Sequence, residues 1–94
     1  SVQVVGGETS YCSFEKAVLM GVRFQHPRLG GSPLMRVRFG GAFLLECDLR
    51  NANFYNADLR GAVLVRCDLS DACLQDAHTE GAVFLECRTD RTEW

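Results

Sequence analysis

The sequence lacks the features that mark several common classes of protein. No apolar run approaches the ~18 residues that a membrane-spanning helix needs. The N-terminus has no charged region followed by an apolar stretch, so we expect no signal peptide. Basic residues are not in excess, with 10 Lys and Arg against 12 Asp and Glu, so the charge footprint of a nucleic-acid-binding protein is missing. We therefore expect neither a membrane nor a nucleic acid as partner.

Motifs for metal binding, catalysis and disulfide scaffolds are missing as well. The five cysteines form no CxxC pair, and the two histidines complete no zinc pattern. An odd cysteine count fits a disulfide framework poorly, so we expect small buried thiols in a reducing, cytoplasmic compartment. Nothing pairs a nucleophile with an oriented base. We expect no enzyme, no catalytic residue, no metal, no cofactor and no small-molecule substrate.

What the chain does contain is enough apolar material for one small domain. It has 94 residues, of which 47% are hydrophobic and 23% charged, an ordinary globular composition. We predict a single domain over residues 1–94. Because the chain starts at Ser1 without a methionine, we expect it to be either an excised segment of a longer protein or a trimmed chain.

A period of five residues organises this domain. Steps of five from Phe14 to Thr89 give sixteen positions, here called centres, and fourteen of them are Leu or Phe. The position two before each centre holds all eight alanines and four of the five cysteines, and the 22 charged residues avoid both positions. The pattern therefore predicts two inward and three outward positions in every five residues, in one phase over residues 12–89.

The run of eleven residues from Ala52 to Ala62, ANFYNADLRGA, resembles the pentapeptide-repeat family, whose unit is written A(D/N)LXX. The resemblance implies an all-β fold, a right-handed quadrilateral β-helix (solenoid) of about four coils with five residues on each face. Stacking is also required physically, because a five-residue unit cannot bury its inward pair alone. Backbones stacked at ~4.8 Å leave room only for small residues beside the centres.

One segment departs from the regular pattern. Residues 25–34 keep the phase but carry both prolines and an adjacent glycine pair. Proline removes a donor from the hydrogen-bond ladder, so we predict an irregular corner over 25–34. Thr79 and Thr89 replace the large centres late in the chain, and we expect the core to narrow there.

One face of the expected solenoid is apolar on its outside. If each coil takes twenty residues, the centres Phe24, Leu44, Leu64 and Phe84 share a face, and the outward positions beside the last three are apolar in three coils running. A contiguous apolar patch usually marks a contact surface. The alternative is that residues 1–11 fold over it. The predicted partner-binding residues are Phe43, Leu45, Val63, Val65, Val83 and Leu85.

Other candidate clusters have structural explanations. Cys47, Cys67 and Cys87 would stack on one face with Cβ atoms ~4.8 Å apart, slightly wide of the ~3.5–4.5 Å of a disulfide. We therefore predict packing rather than disulfides, with only Cys73 pointing outward and reactive. Stacked Asp48 and Asp68 could bind a cation, but the arginines beside them favour a salt-bridged surface. Those arginines are Arg28, Arg50 and Arg88.

Three functions remain open at this stage. The first is a non-catalytic protein–protein interaction or scaffold module that presents its apolar face to a protein partner or to a second copy in a homodimer. The second follows from the resemblance, since some bacterial pentapeptide-repeat proteins imitate DNA and bind type II topoisomerases such as gyrase. Here acidic residues exceed basic ones by only two, 12 against 10, and four coils span about six base pairs. The third is a structural spacer. The sequence favours the first.

Overall fold

The computed structural model describes residues 11–25 and 30–94 and the backbone of Gln3–Val5, and within these residues it contains no helix. The strands are β1 Gln3–Val5, β2 Val18–Met20, β3 Arg23–Gln25, β4 Phe43–Leu45, β5 Val63–Val65 and β6 Val83–Leu85. β2, β4, β5 and β6 form one parallel sheet in that order, and β1 pairs with β3. Parallel neighbours about one coil apart in sequence confirm the expected right-handed quadrilateral β-helix.

The corners of each coil depend on a left-handed residue two positions after the centre. Fifteen residues in this phase have φ between 51° and 73°. At three of the four corners a backbone hydrogen bond closes a turn, as from the N–H of Ala57 to the carbonyl of Phe54 at 2.9 Å. A positive φ at the third residue of such a turn is the geometry of a type II turn. The five-residue period is therefore one short extended segment plus one turn.

The residue before each centre helps to fix the same unit. Asp58 Oδ1 accepts a hydrogen bond from the backbone N–H of Arg60 at 3.0 Å, and Asn53 Oδ1 accepts one from Tyr55 at 3.1 Å. Short carboxyl and amide side chains reach their own backbone two residues on. The same local bond forms in all four units that have Asp or Asn before the centre.

The centres point inward and form four columns, one on each face. In the middle coils Leu49, Phe54 and Leu59 are no more than 1% exposed, and so is Leu64. Faces are named here by their centres. Face 1 holds Phe14, Phe39, Leu59 and Thr79; face 2 holds Leu19, Leu44, Leu64 and Phe84; face 3 holds Phe24, Leu49, Leu69 and Thr89; face 4 holds Leu34, Phe54, Leu74 and Trp94.

The first coil is five residues longer than the coils that follow. Val18 pairs with Phe43, 25 residues on, whereas Pro33 pairs with Asn53, 20 residues on. The offset changes between Arg23 and Pro33; of the predicted irregular corner over 25–34, residues 26–29 lie outside the described residues. A uniform twenty-residue coil is therefore wrong for the first coil. One extra pentapeptide leaves the five-residue phase intact, so the sequence pattern does not register it.

The ladder continues to the end of the described chain. Cys73 forms a β-bridge with Glu93, and Trp94 takes the next centre, with its ring centroid 5.4 Å from that of Phe84. Phe84 is half-buried and Trp94 is 60% exposed, because no further coil of the described chain packs on them. The stacked core is complete in the middle coils and uncovered at this end.

Candidate interaction face

Face 2 carries the longest regular sheet, and the outside of that sheet is apolar. Phe43, Val63 and Val83 are direct neighbours on successive strands, and so are Leu45, Val65 and Leu85. The structure thus brings all six predicted contact residues together. The outward positions of β2 continue both rows with two further apolar side chains. We call the full set the apolar face: Val18, Met20, Phe43, Leu45, Val63, Val65, Val83 and Leu85.

The neighbours expected for Phe43 and Leu45 in the first coil were wrong. The sequence analysis stacked Phe24 on Leu44, and with it Arg23 on Phe43 and Gln25 on Leu45, because it assumed twenty residues in every coil. With the observed offset of 25, Arg23 belongs to face 3, where its Nε lies 3.9 Å from Asp48 Oδ2. The centre Phe24 moves to face 3 with it.

Val18 and Met20 are the residues that the sequence analysis missed. A usable signal was present, since VLM at 18–20 has the same apolar–centre–apolar form as FLL at 43–45, VLV at 63–65 and VFL at 83–85. No other unit in the described chain has apolar residues on both sides of its centre except the one around Leu34. Matching the triplets by content rather than by a fixed twenty-residue step would have found the fourth strand.

The apolar face is open to solvent. Val18 is 65% exposed and Met20 is 61% exposed on β2, while Val83 and Leu85 on β6 are 42% and 52% exposed. The four side chains on β4 and β5 are half-buried, because neighbours on both sides shield them.

The described part of residues 1–11 does not cover the apolar face, which was the alternative to a partner. β1 pairs with β3, with Val4 opposite Phe24, and so lies on face 3. Residues 1, 2 and 6–10 lie outside the described residues. The part of the N-terminal segment that is described leaves the apolar face uncovered.

The two edges of the apolar face differ in charge. After the strands run Gly21, Glu46, Arg66 and Glu86, one residue per coil. Arg66 Nε lies 3.6 Å from Glu46 Oε2, and its Nη1 lies 3.5 Å from Glu86 Oε1. Before the strands run Lys16, Gly41, Gly61 and Gly81. We call the first row the charged rim and the second the glycine rim.

Ion pairs neutralise several acidic side chains on the other faces. Arg60 binds both carboxylate oxygens of Asp58 at 2.9 and 2.8 Å, and the guanidinium lowers the pKa of Asp58 to about 2. Arg50 binds Asp48 in the same two-pronged way, and its side-chain hydrogen bonds lower the pKa of that carboxyl. These contacts agree with the salt-bridged reading of Asp48.

Asp68 has a different partner from the one expected. Its Oδ1 accepts a hydrogen bond from the backbone N–H of Ser70 at 3.0 Å, whereas Arg88 pairs with Asp90 at 3.1 Å. Arg28 lies outside the described residues. Within the described part of the chain, no group of His, Cys, Asp and Glu side chains could hold a metal ion.

All five cysteines are free thiols. Cys47 and Cys67 are buried, and the Sγ of Cys67 donates to the carbonyl of Leu44 at 3.4 Å. The hydrogen bond with Cys47 and burial both raise the pKa of the Cys67 thiol. Cys87, expected to be as buried as these two, is only half-buried because it lies in the uncovered last coil; Cys73 and Cys12 are half-buried as well.

The described residues offer no pocket in which convergent polar groups could act on a small molecule. None of their secondary-structure elements is a helix with the length and apolar content needed to cross a membrane. The surface chemistry of the described chain is therefore that of flat faces, and only face 2 combines a regular sheet with an apolar exterior.

Comparison with known proteins agrees with this geometry. The family model for pentapeptide repeats matches residues 32–71 in eight copies. No curated protein sequence matches the chain significantly.

Solved structures share the fold at low sequence identity. QnrB1, a plasmid-mediated fluoroquinolone resistance protein, aligns with a TM-score of 0.67 and 21% identity over 90% of this chain and 44% of its own. HetL, a protein involved in heterocyst differentiation regulation from the cyanobacterium Nostoc sp. strain PCC 7120, aligns with a TM-score of 0.61 and 20% identity over 95% of this chain and 52% of its own. Rfr23 from the cyanobacterium Cyanothece 51142 aligns with a TM-score of 0.58 and 19% identity over 99% and 88%. The chain thus spans about half the length of QnrB1 and of HetL.

Proposed function

Because the chain belongs to the pentapeptide-repeat family, we propose that it is a non-catalytic interaction module in the cytoplasm and that its apolar face binds protein. One observation carries the proposal: eight apolar side chains stand in register on the outside of four adjacent strands. Scattered apolar residues on a surface are ordinary, but a contiguous apolar sheet is not. Covering it supplies ~25 cal/mol of gross driving force for each Å² removed from water.

The DNA-mimic alternative receives less support from the same surface. A mimic needs a continuous row of uncompensated acidic groups, because the DNA backbone carries about one charge per 1.7 Å. Here Asp48, Asp58 and Asp71 each bind an arginine at 2.7–2.8 Å. The fold likeness to QnrB1 does not carry that protein's resistance role to this chain.

The test is capture of binding proteins by matched variants. The parent chain and the double variant Val63→Glu with Val65→Lys are immobilised and exposed to an extract of the source cells. Both residues point outward, so the variant should fold, yet it places charges in the middle of the apolar face. We expect the parent to retain a defined set of proteins, identified by mass spectrometry, and the variant to lose it.

A control variant separates this effect from charge as such. His78→Glu with Glu80→Lys puts the same two charges at the equivalent outward positions of face 1, where both native side chains are exposed. We expect it to retain the same proteins as the parent. If both double variants retain the full set, binding does not use the apolar face and the proposal is wrong.

A further inference from the structure

We infer that a second copy of this chain is the occupant of the apolar face, packed face to face with its coils in the opposite order. The inference rests on the proposed function, since it uses the same surface, and it names the partner. Two-fold pairs of this kind reuse one patch on both copies. The evidence is the order of charges along the charged rim.

The charged rim is complementary to itself when it is reversed. From the first coil to the last it reads neutral, negative, positive, negative, with Glu46 second and Arg66 third. A two-fold axis along the strand direction, passing between the second and third coils, sets Glu46 of each copy opposite Arg66 of the other. It also sets Glu86 opposite Gly21, so no two like charges meet. Like-charge contacts across an interface oppose association, so this order favours the arrangement.

The other face-to-face arrangement has no such complementarity. A two-fold axis along the solenoid keeps the coils in the same order and lays the charged rim against the glycine rim. Glu46 and Arg66 would then face Gly41 and Gly61, which offer no side chain. The reversed arrangement instead brings Gly41 opposite Gly61, so two bare edges meet and the sheets can approach closely along that side.

The apolar rows also fit when they are reversed. Phe43, the largest side chain of the apolar face, lies opposite Val63 of the second copy, and Leu45 lies opposite Val65. The strands of the two copies stay aligned, which is one of the two ways in which sheets pack, at a separation of ~10 Å. The most exposed members, on β2 and β6, cover one another in the outer coils.

The size of the apolar face sets the affinity to look for. Four strands at ~4.8 Å span only about 19 Å, so each copy buries less than the ~800 Å² of a standard interface. We therefore expect a weak dimer, with a dissociation constant in the micromolar range or above. Sedimentation velocity at protein concentrations from ~10 μM to ~1 mM should show the sedimentation coefficient rise as the weak dimer of this small interface forms.

A charge swap tests the arrangement directly. Glu46→Arg alone sets two arginines against each other at each rim contact between the copies, and Arg66→Glu alone sets two glutamates together. We expect each variant to dimerise about tenfold more weakly than the parent, since each dimer contains two repulsive pairs. An equimolar mixture of the two variants makes both pairs attractive, and it should associate at least as tightly as the parent. Thermal unfolding of each variant checks that it is folded.

Each outcome decides between the two proposals. A mixture that associates more tightly than either variant alone supports the second copy in reversed order; a mixture that does not overturns it. A parent that stays monomeric at ~1 mM also overturns it, while capture lost in the Val63→Glu, Val65→Lys variant still upholds the proposed function. The Val63→Glu, Val65→Lys variant and both charge-swap variants could instead dimerise as tightly as the parent. That result overturns the proposal that a second copy occupies the apolar face, because it would place the contact at a coil end, away from all four substituted positions.

Discussion

Several side chains in this protein bind the backbone of their own repeat. Asp58 accepts from the N–H of Arg60 and also binds its guanidinium, so one carboxylate fixes a turn and neutralises a charge. The first bond needs only an oxygen, which is why Asn53 does the same for Tyr55. The second needs a charge. The two contributions can therefore be separated by one substitution.

At the residue scale we predict that Asp58→Asn costs about 0.5–1 kcal/mol at neutral pH and only a small part of that at pH 2. Asparagine keeps the turn bond and loses the ion pair, whose value is reduced because Arg60 is 62% exposed. The pKa of Asp58 is lowered to about 2 from 3.8 in the folded state, so the stabilisation is fully present above about pH 4 and disappears as the pH falls through 2.

Urea unfolding of parent and variant at several pH values measures this difference. Raising the salt concentration at neutral pH is the control, because screening should shrink the gap between the two proteins. A gap that stays the same from pH 6 to pH 2 would show that the ion pair contributes nothing.

At the scale of the repeat element, the corner decides which residues the chain accepts. Ten non-glycine residues adopt the left-handed conformation two positions after a centre, a conformation that costs an L-residue roughly 1–2 kcal/mol. The cost is tolerated because nearly every one of these corners also gains a turn hydrogen bond or a ladder bond to the next coil. Glycine at the same place removes the strain.

Adjacent glycines at one corner give a matched pair of substitutions. We predict that Gly41→Ala destabilises the protein by about 1 kcal/mol, because Gly41 has φ +67° and an added Cβ would lie 3.4 Å from Lys16 Cγ. Gly40→Ala should be neutral or stabilising by up to ~0.5 kcal/mol. Its Cβ would make only ordinary contacts, at 3.7 Å or more, and its φ is not positive.

Denaturant unfolding of both variants checks the pair. The two substitutions add the same methyl group one residue apart, so hydrophobicity and helix propensity cancel in the comparison. Equal stabilities for the two variants would mean that the left-handed corner imposes no conformational cost at this position.

For the whole molecule, burial follows position along the stack. Inward side chains in the middle coils are closed off above and below, whereas those of the last coil have a neighbour on one side only. The thiols show this dependence on position, since Cys47 and Cys67 are buried and Cys87, one coil further on, is half-buried. The reactivity of one residue type therefore reports how complete the stack is.

We predict that a thiol reagent labels Cys73 and Cys87 in the folded protein, and Cys47 and Cys67 only when it unfolds. Burial and the neighbouring thiol raise the pKa of Cys67, so little of it is the reactive thiolate. Peptide mapping by mass spectrometry after timed labelling gives the four rates. A disulfide between Cys47 and Cys67, or labelling of Cys67 at the rate of Cys73, would contradict the buried stack.

The sequence by itself determined the repeat, the inward positions and most of the apolar face. Each depends on local chemistry: a small residue and a Leu or Phe fit the narrow interior, and Asp58 or Asn53 closes its own turn. Six of the eight members of the apolar face follow from that phase, because Phe43 through Leu85 lie in coils of constant length.

Only the tertiary structure decided which units lie above one another in the first coil. A pentapeptide added between Arg23 and Pro33 changes the pairing offset from 25 to 20 without changing the phase, so no local pattern reveals it. The longer offset places Val18 and Met20 on the apolar face and brings Arg23 next to Asp48 on face 3. The repeat is a property of five neighbouring residues, whereas the register is a property of residues a full coil apart, which meet only when the chain is folded.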